Sequence, residues 1–107
     1  MDSAYSEAIS MPNSLLIRNI SDLHSTITAQ IQGGKSIVLE IPPDAEADLS
    51  FVQLVESARI HAKSSGKSLR LSLPASGSVL KVLQRGGFID AFSVEDAQFW
   101  LHNEVHQ

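Results

Sequence analysis

The hydroxyl of Ser50 is the side chain best placed for chemistry in this sequence, and the chemistry it could undergo is phosphorylation. Ser50 precedes an apolar pattern of helical spacing, and Gln53 follows at the spacing of a capping box, so we predict that Ser50 is a helix N-cap. The N–H groups and the helix dipole at such a position stabilise a phosphate. Serine is also a preferred N-cap for structural reasons alone, so a phosphorylation site and a plain cap are alternatives.

Catalytic and metal-binding motifs are not recognisable around this serine. A serine nucleophile needs a base within hydrogen-bond reach, and no motif supplies one, so we predict that the protein is not an enzyme and carries no cofactor. Asp44, Glu46 and Asp48 alternate as in part of a calcium loop, but the glycine and the distant glutamate of that loop are missing. We therefore expect a solvated turn there. The histidines, which lack the spacing of a metal site, are His24, His61, His102 and His106.

Length and composition predict one soluble, cytoplasmic domain. The chain has 107 residues, 43% of them hydrophobic, and no cysteine. It contains no apolar run approaching the ~20 residues of a membrane span, so we expect no membrane insertion. The formal net charge is −4 and the eight lysines and arginines are scattered, which argues against nucleic-acid binding. We assign residues 14–107 to the domain and residues 1–13 to a flexible arm or an extra strand.

The elements before Ser50 are predicted from apolar patterns. Residues 15–20 form a short apolar run typical of a strand near a sheet edge. Ser21 is a candidate N-cap for a helix with a single buried stripe. Residues 36–41 form a continuous apolar run closed by two prolines, which indicates the buried central strand. The stripe of the first helix consists of Leu23, Ile27 and Ile31.

The elements after Ser50 follow the same logic. Residues 68–73 alternate strictly and predict a strand with its three leucines on one face, the last of which is Leu73. Ser76 or Ser78 caps the next helix, which two glycines end. Ser93 with Asp96 has the spacing of a capping box before a C-terminal helix. The expected apolar face after Ser50 comprises Phe51, Leu54, Val55, Ala58 and Ala62, and the C-terminal cluster comprises Phe99, Trp100 and Leu101.

Alternating strands and helices predict an α/β fold. Strands separated by helices run parallel when the connections cross over one face, so we expect a mixed, parallel-rich sheet covered by about four helices. Residues 36–41 would be its centre, because the chain crosses over on both sides of them.

The order of these elements, together with two short motifs, resembles a STAS domain, the fold of anti-sigma-factor antagonists, over roughly residues 15–91. In that family a strand runs into an Asp-Ser-Ser/Thr-Gly-type loop whose second hydroxyl residue is phosphorylated. Asp48 takes the acidic place and Ser50 the phosphoacceptor place, whereas Leu49 and Phe51 replace the first hydroxyl residue and the glycine. The family's later Leu-x-x-x-Gly-apolar pattern is matched by Leu83, Gly87 and Phe88.

The resemblance implies a non-enzymatic protein-binding module in bacterial signalling. Its partner would be a serine kinase or anti-sigma factor, as in partner switching, or a chemotaxis or two-component histidine kinase, with phosphorylation at Ser50 as the switch. The alternative implied by the family is a cytoplasmic accessory subunit of a lipid transporter. The oligomeric state is left open. The expected partner surface consists of Asp48, Leu49, Ser50, Phe51 and Gln53.

Overall fold

Two small parallel sheets organise the described part of the chain, residues 6–33 and 36–102 of a computed structural model. One sheet has the strand order β1-β3-β5, and the other pairs β2 with β4. The predicted α/β class and parallel-rich sheet are confirmed, and β3 is the central strand as expected. The strands are β1 (Ser6–Ser10), β2 (Ser14–Leu15), β3 (Ser36–Glu40), β4 (Glu46–Ala47) and β5 (Leu69–Leu71).

Five helices accompany the strands in the described residues. The number exceeds the expected four because the chain turns at Gly87, whose φ is 76°, and then forms one further short helix. None of the helices in residues 6–33 and 36–102 has the length and hydropathy to cross a bilayer. The helices are α1 (Ile20–Gln32), α2 (Leu49–Ser64), α3 (Gly77–Arg85), α4 (Phe88–Ala91) and α5 (Val94–Leu101).

The strand predicted for residues 15–20 is wrong. Of these residues only Leu15 lies in a strand, and Ile17–Asn19 forms a 3₁₀ turn that leads directly into α1. The Ser14 hydroxyl donates a hydrogen bond of 2.5 Å to the side-chain oxygen of Asn19, across this turn. Helix α1 begins at Ile20 with Asn19 as its N-cap, so the predicted cap at Ser21 is also wrong. A local side-chain contact of this kind competes with strand pairing and is not visible in an apolar pattern.

The segment before this turn contributes the strand β1. It pairs with β3 in parallel along its whole length, from Ser6 opposite Ser36 to Ser10 opposite Glu40. Residues 6–10 therefore form the extra strand rather than the flexible arm, while residues 1–5 lie outside the described residues. The sequence of strand β1 has little apolar periodicity. Ile9 packs against the core, whereas Ala8 and Ser10 are exposed.

The apolar faces of the helices meet the sheet in one core. The predicted buried residues of α1 and α2 are all buried, which confirms both helical patterns. Leu69 and Leu71 are buried, but Leu73 is 65% exposed because β5 ends at Leu71, so that part of the strand prediction is wrong. The largest fully buried side chains are Trp100, Phe51, Leu15, Ile27, Ile37, Leu39, Leu71, Leu83, Val52, Val55 and Val79.

The start of α3 is held against the loop that precedes α2. Gly77 has a φ of 55°, and a Cβ there would lie 2.5 Å from the carbonyl oxygen of Pro43, so glycine is required for this close approach. The Ser78 hydroxyl accepts a hydrogen bond from the N–H of Ala47 at 2.9 Å and donates one to its carbonyl at 3.2 Å. Ser76 is the N-cap residue of α3, without a side-chain capping bond. Together these contacts position β4 and the chain that follows it into α2.

Candidate partner-binding site at the start of helix α2

Asp48, and not Ser50, is the N-cap of α2. The backbone of Asp48 is extended, its carboxylate accepts the N–H of Ser50 at 3.0 Å, and the helix begins at Leu49. The predicted capping box of Ser50 and Gln53 is therefore wrong. Aspartate and serine are comparable N-caps, so two neighbouring candidates compete in this stretch. A tertiary contact of Asp48 favours the earlier one.

That contact ties the 3₁₀ turn to the start of α2. One carboxylate oxygen of Asp48 accepts the N–H of Ile17 at 2.9 Å, and the other accepts both the N–H and the hydroxyl of Ser50. The hydrogen bond from the Ser50 hydroxyl, aided by the N–H groups of Ile17, Ser50 and Phe51, lowers the pKa of Asp48 despite partial desolvation. The carboxylate is thus held ionised between two segments that lie far apart in the sequence.

The lowered pKa predicts a specific pH dependence of stability. A carboxyl whose pKa is lower in the folded than in the unfolded chain contributes stability above its unfolded pKa, here 3.8. That contribution is lost as the pH falls from this value through the folded pKa. We expect the free energy of unfolding of Asp48→Asn to fall less steeply in this window than that of the wild type. Denaturant titrations at stepped pH measure the difference, with Asp44→Asn, an exposed acid of the neighbouring turn, as control. Parallel curves for wild type and Asp48→Asn would contradict the hydrogen-bonding role.

The structure separates the expected partner surface into exposed and buried members. Leu49 is 45% exposed, Gln53 is exposed, and Asp48 and Ser50 are half-buried. Phe51 is fully buried, so its assignment to the partner surface is wrong. Its side chain points into the core because it lies on the same helical face as Val55 and Ala58. Ser50 therefore presents its hydroxyl to Asp48 at a rim from which Leu49 projects.

Ile17 is a member of this site that sequence reasoning missed. Its N–H binds Asp48, and its side chain is 72% exposed, the most exposed large hydrophobic among the described residues. A strand near the sheet edge is predicted at this position because Ile17 continues an apolar run. The only signal in the sequence against a strand is the pair of polar residues Ser14 and Asn19, which favour a turn.

The acidic residues before α2 do not converge. Asp44 lies exposed in a turn and Glu46 lies exposed on β4. Within residues 6–33 and 36–102, no three or more histidines and carboxylates lie close enough together to hold a metal ion. His102 ends α5, and His106 lies outside the described residues. The site therefore offers one hydroxyl, one carboxylate and two exposed apolar side chains, which suit binding.

Comparison of the chain with family models, with curated proteins and with solved structures finds no match in any of the three. The resemblance to a STAS domain thus stays a prediction from the motifs of the sequence, and the class that the structure itself defines is an α/β domain with a parallel sheet.

Proposed function

We propose that this protein is a non-enzymatic regulatory module of bacterial signalling that binds a protein partner at the start of α2. Its partner is a serine kinase or anti-sigma factor, or a chemotaxis or two-component histidine kinase. The observation that carries the proposal is the rim at which exposed Ile17 and Leu49 flank Asp48 and the hydroxyl of Ser50. Exposed apolar side chains around an ordered polar group have the composition of many protein–protein contacts.

The contact between Ser50 and Asp48 supports a switch at this rim. A phosphate on Ser50 removes the hydroxyl proton that Asp48 accepts and places a negative group beside a carboxylate that is already ionised. Repulsion between the two groups weakens the contact of Asp48 with Ile17. Phosphorylation would in this way change both the charge of the partner surface and the position of one of its two apolar side chains.

Substitution of Leu49 tests the location of the partner surface. We expect Leu49→Asp to weaken partner binding about tenfold or more, because a charge placed in an apolar contact must be desolvated without compensation. Ile60→Asp is the matched control, since Ile60 is equally apolar and 70% exposed but lies in the second half of the same helix. The partner itself is found by placing a photo-crosslinking residue at position 49 in the protein's own cell and identifying the captured chain by mass spectrometry.

The outcomes of this experiment separate the alternatives. Capture of a serine kinase, an anti-sigma factor or a histidine kinase, with affinity lost in Leu49→Asp and kept in Ile60→Asp, supports the proposal. Capture of a transporter subunit would instead favour the accessory-subunit alternative. For the switch, Ser50→Asp should bind more weakly than Ser50→Ala, and phosphate should be found on Ser50 in protein recovered from the cell. Equal affinity of all these variants would leave the rim without a binding role.

A further inference from the structure

The outer edge of β1 is unpaired within residues 6–33 and 36–102. The three-stranded sheet has the order β1-β3-β5, so β1 is one of its two edge strands. Strand β3 is the element with which β1 makes its extensive contact. Ala8 and Ser10 are exposed, and both side chains are small and uncharged. An accessible strand edge with an unpaired row of N–H and C=O groups is a template for pairing with another chain.

The hydrogen bonds to β3 show which backbone groups form this edge. The N–H of Met11 donates to the carbonyl of Glu40 at 2.7 Å, so the backbone of Met11 faces β3. Successive residues of a strand direct their backbone groups to opposite sides, so every second residue counted back from Met11 also faces β3. The N–H and C=O groups of Ser6, Ala8 and Ser10 therefore point away from β3 and are available to a further strand.

The opposite edge of the same sheet is closed. Leu69 and Leu71 on β5 are buried, and α5 packs against that strand. A second copy of the chain therefore presents one accessible edge of this sheet, its own β1. Pairing of β1 with β1 uses the same surface on both copies, so the association closes as a two-fold dimer and does not propagate as a fibre.

An antiparallel pairing centred on Ala8 satisfies all of these outward groups at once. With the two-fold axis at Ala8, this residue lies opposite its own copy, and Ser6 lies opposite Ser10 on either side. Each of these pairs exchanges two backbone hydrogen bonds. Moving the axis by one residue, to Glu7 or Ile9, would leave one outward-facing residue of each β1 strand beyond the end of the other. An axis at Glu7 would also set two carboxylates opposite each other.

The side chains are compatible with the register centred on Ala8. Residues directly opposite each other in an antiparallel pair share a face, so Glu7 lies opposite Ile9 of the second copy and not opposite another Glu7. On the exposed face, the hydroxyl of Ser10 donates to Glu40 at 2.9 Å, so that carboxylate is hydrogen-bonded within its own copy. The pairing therefore brings no like charges directly opposite each other along the described strand.

We propose that the chain forms a two-fold symmetric dimer in which β1 pairs antiparallel with β1 of a second copy. The two three-stranded sheets then join into one continuous sheet, with the apolar faces of both copies on the same side. Strands of five residues pair over a small area, so the dimer is weak and depends on protein concentration. The proposal does not rest on the partner surface at the start of α2, because none of its residues belongs to β1.

Charge substitution at the axis tests the pairing on the full chain. Because Ala8 lies opposite its own copy, Ala8→Lys and Ala8→Glu each bring two like charges together, and each variant should dimerise about fivefold more weakly than the wild type. An equimolar mixture of the two variants sets opposite charges at the axis and should recover the wild-type affinity. Sedimentation equilibrium up to millimolar concentration measures all three. Ala91→Lys and Ala91→Glu, at an exposed alanine of α4, are the matched controls and should dimerise like the wild type.

Two further readouts test the strand pairing itself. Ala8→Pro removes the outward N–H at the axis but none of the N–H groups that face β3, so the domain should stay folded while the dimer weakens about tenfold or more. Ala8→Thr keeps the N–H and should dimerise like the wild type. In a mixture of isotope-labelled and unlabelled chains, an NOE between the α protons of Glu7 and Ile9 should cross the interface, because these residues form a non-hydrogen-bonded pair.

The outcomes that would overturn the proposal are specific. One is a monomer at every concentration up to millimolar. Another is a mixture of the two charged variants that dimerises no better than either variant alone, a result that decides even if Ala8→Pro fails to fold. A folded Ala8→Pro variant that dimerises like the wild type would also contradict the pairing. So would concentration-dependent amide shifts centred on Leu49 and Ser50, which would place self-association at the start of α2.

Discussion

Leu39→Asp should abolish cooperative folding of this protein. Leu39 is fully buried on β3, the strand that is paired on both sides, by β1 and by β5. An aspartate there would be a charge buried without a partner, which costs several kcal/mol against a typical domain stability of about 5–15 kcal/mol. We expect circular dichroism and denaturant titration to show no native baseline.

The control for this variant introduces the same residue at an exposed position of the same sheet. Arg70→Asp on β5 changes a side chain that points to solvent, so its unfolding transition should stay cooperative and shift little. A Leu39→Asp variant that unfolds cooperatively near the wild-type midpoint would contradict the central position of β3 in the core.

Trp100→Ala should cause the second large effect, a loss of about 3–5 kcal/mol of unfolding free energy. The side chain of Trp100 is fully buried, and its ring meets that of Phe99 edge to face with centroids 5.2 Å apart. Its indole N–H donates to Glu56 on α2, and its carbonyl accepts the N–H of Ala75 at 2.7 Å. Removing the ring leaves a cavity between α5 and the rest of the domain. Urea titration measures the loss.

Trp100→Phe separates packing from hydrogen bonding at this position. Phenylalanine keeps much of the buried area but cannot donate to Glu56, which retains Arg59 as a partner. We expect a loss clearly smaller than that of Trp100→Ala. The fluorescence of wild-type Trp100 should be that of a buried indole at all protein concentrations. A water-exposed spectrum in dilute solution, or equal stability of Trp100→Ala and the wild type, would contradict the burial.

The elements that were predicted correctly are those whose signal is local. Strand β3 follows from one continuous apolar run, and the buried face of α2 follows from apolar residues at helical spacing. The capping box of α5 joins Ser93 and Asp96, which are three residues apart, through both of its hydrogen bonds. In each case the residues that make the structure are neighbours in the sequence.

The predictions that failed depend on contacts between distant parts of the chain. The sequence leaves strand β1 open between a flexible arm and an extra strand for the same reason, because its pairing with β3 and the contact of Ile9 with the core lie outside any local pattern. The N-cap of α2 is Asp48 because its second oxygen binds Ile17, 31 residues away, while the first holds Ser50. No local sequence pattern predicts Asp48 rather than Ser50 as the N-cap, because aspartate and serine cap a helix about equally well.

The sequence and the tertiary structure each determined different features of the candidate site. The sequence by itself determined the residue types, a carboxylate and a hydroxyl two residues apart near a helix start, but not that the hydroxyl would donate to the carboxylate. The helical spacing by itself placed Phe51 on the apolar face of α2. Only the tertiary structure left Leu49 exposed on the rim and brought the N–H of Ile17 to Asp48. Helical spacing assigns residues to faces, but which face is covered depends on what the rest of the chain packs against it.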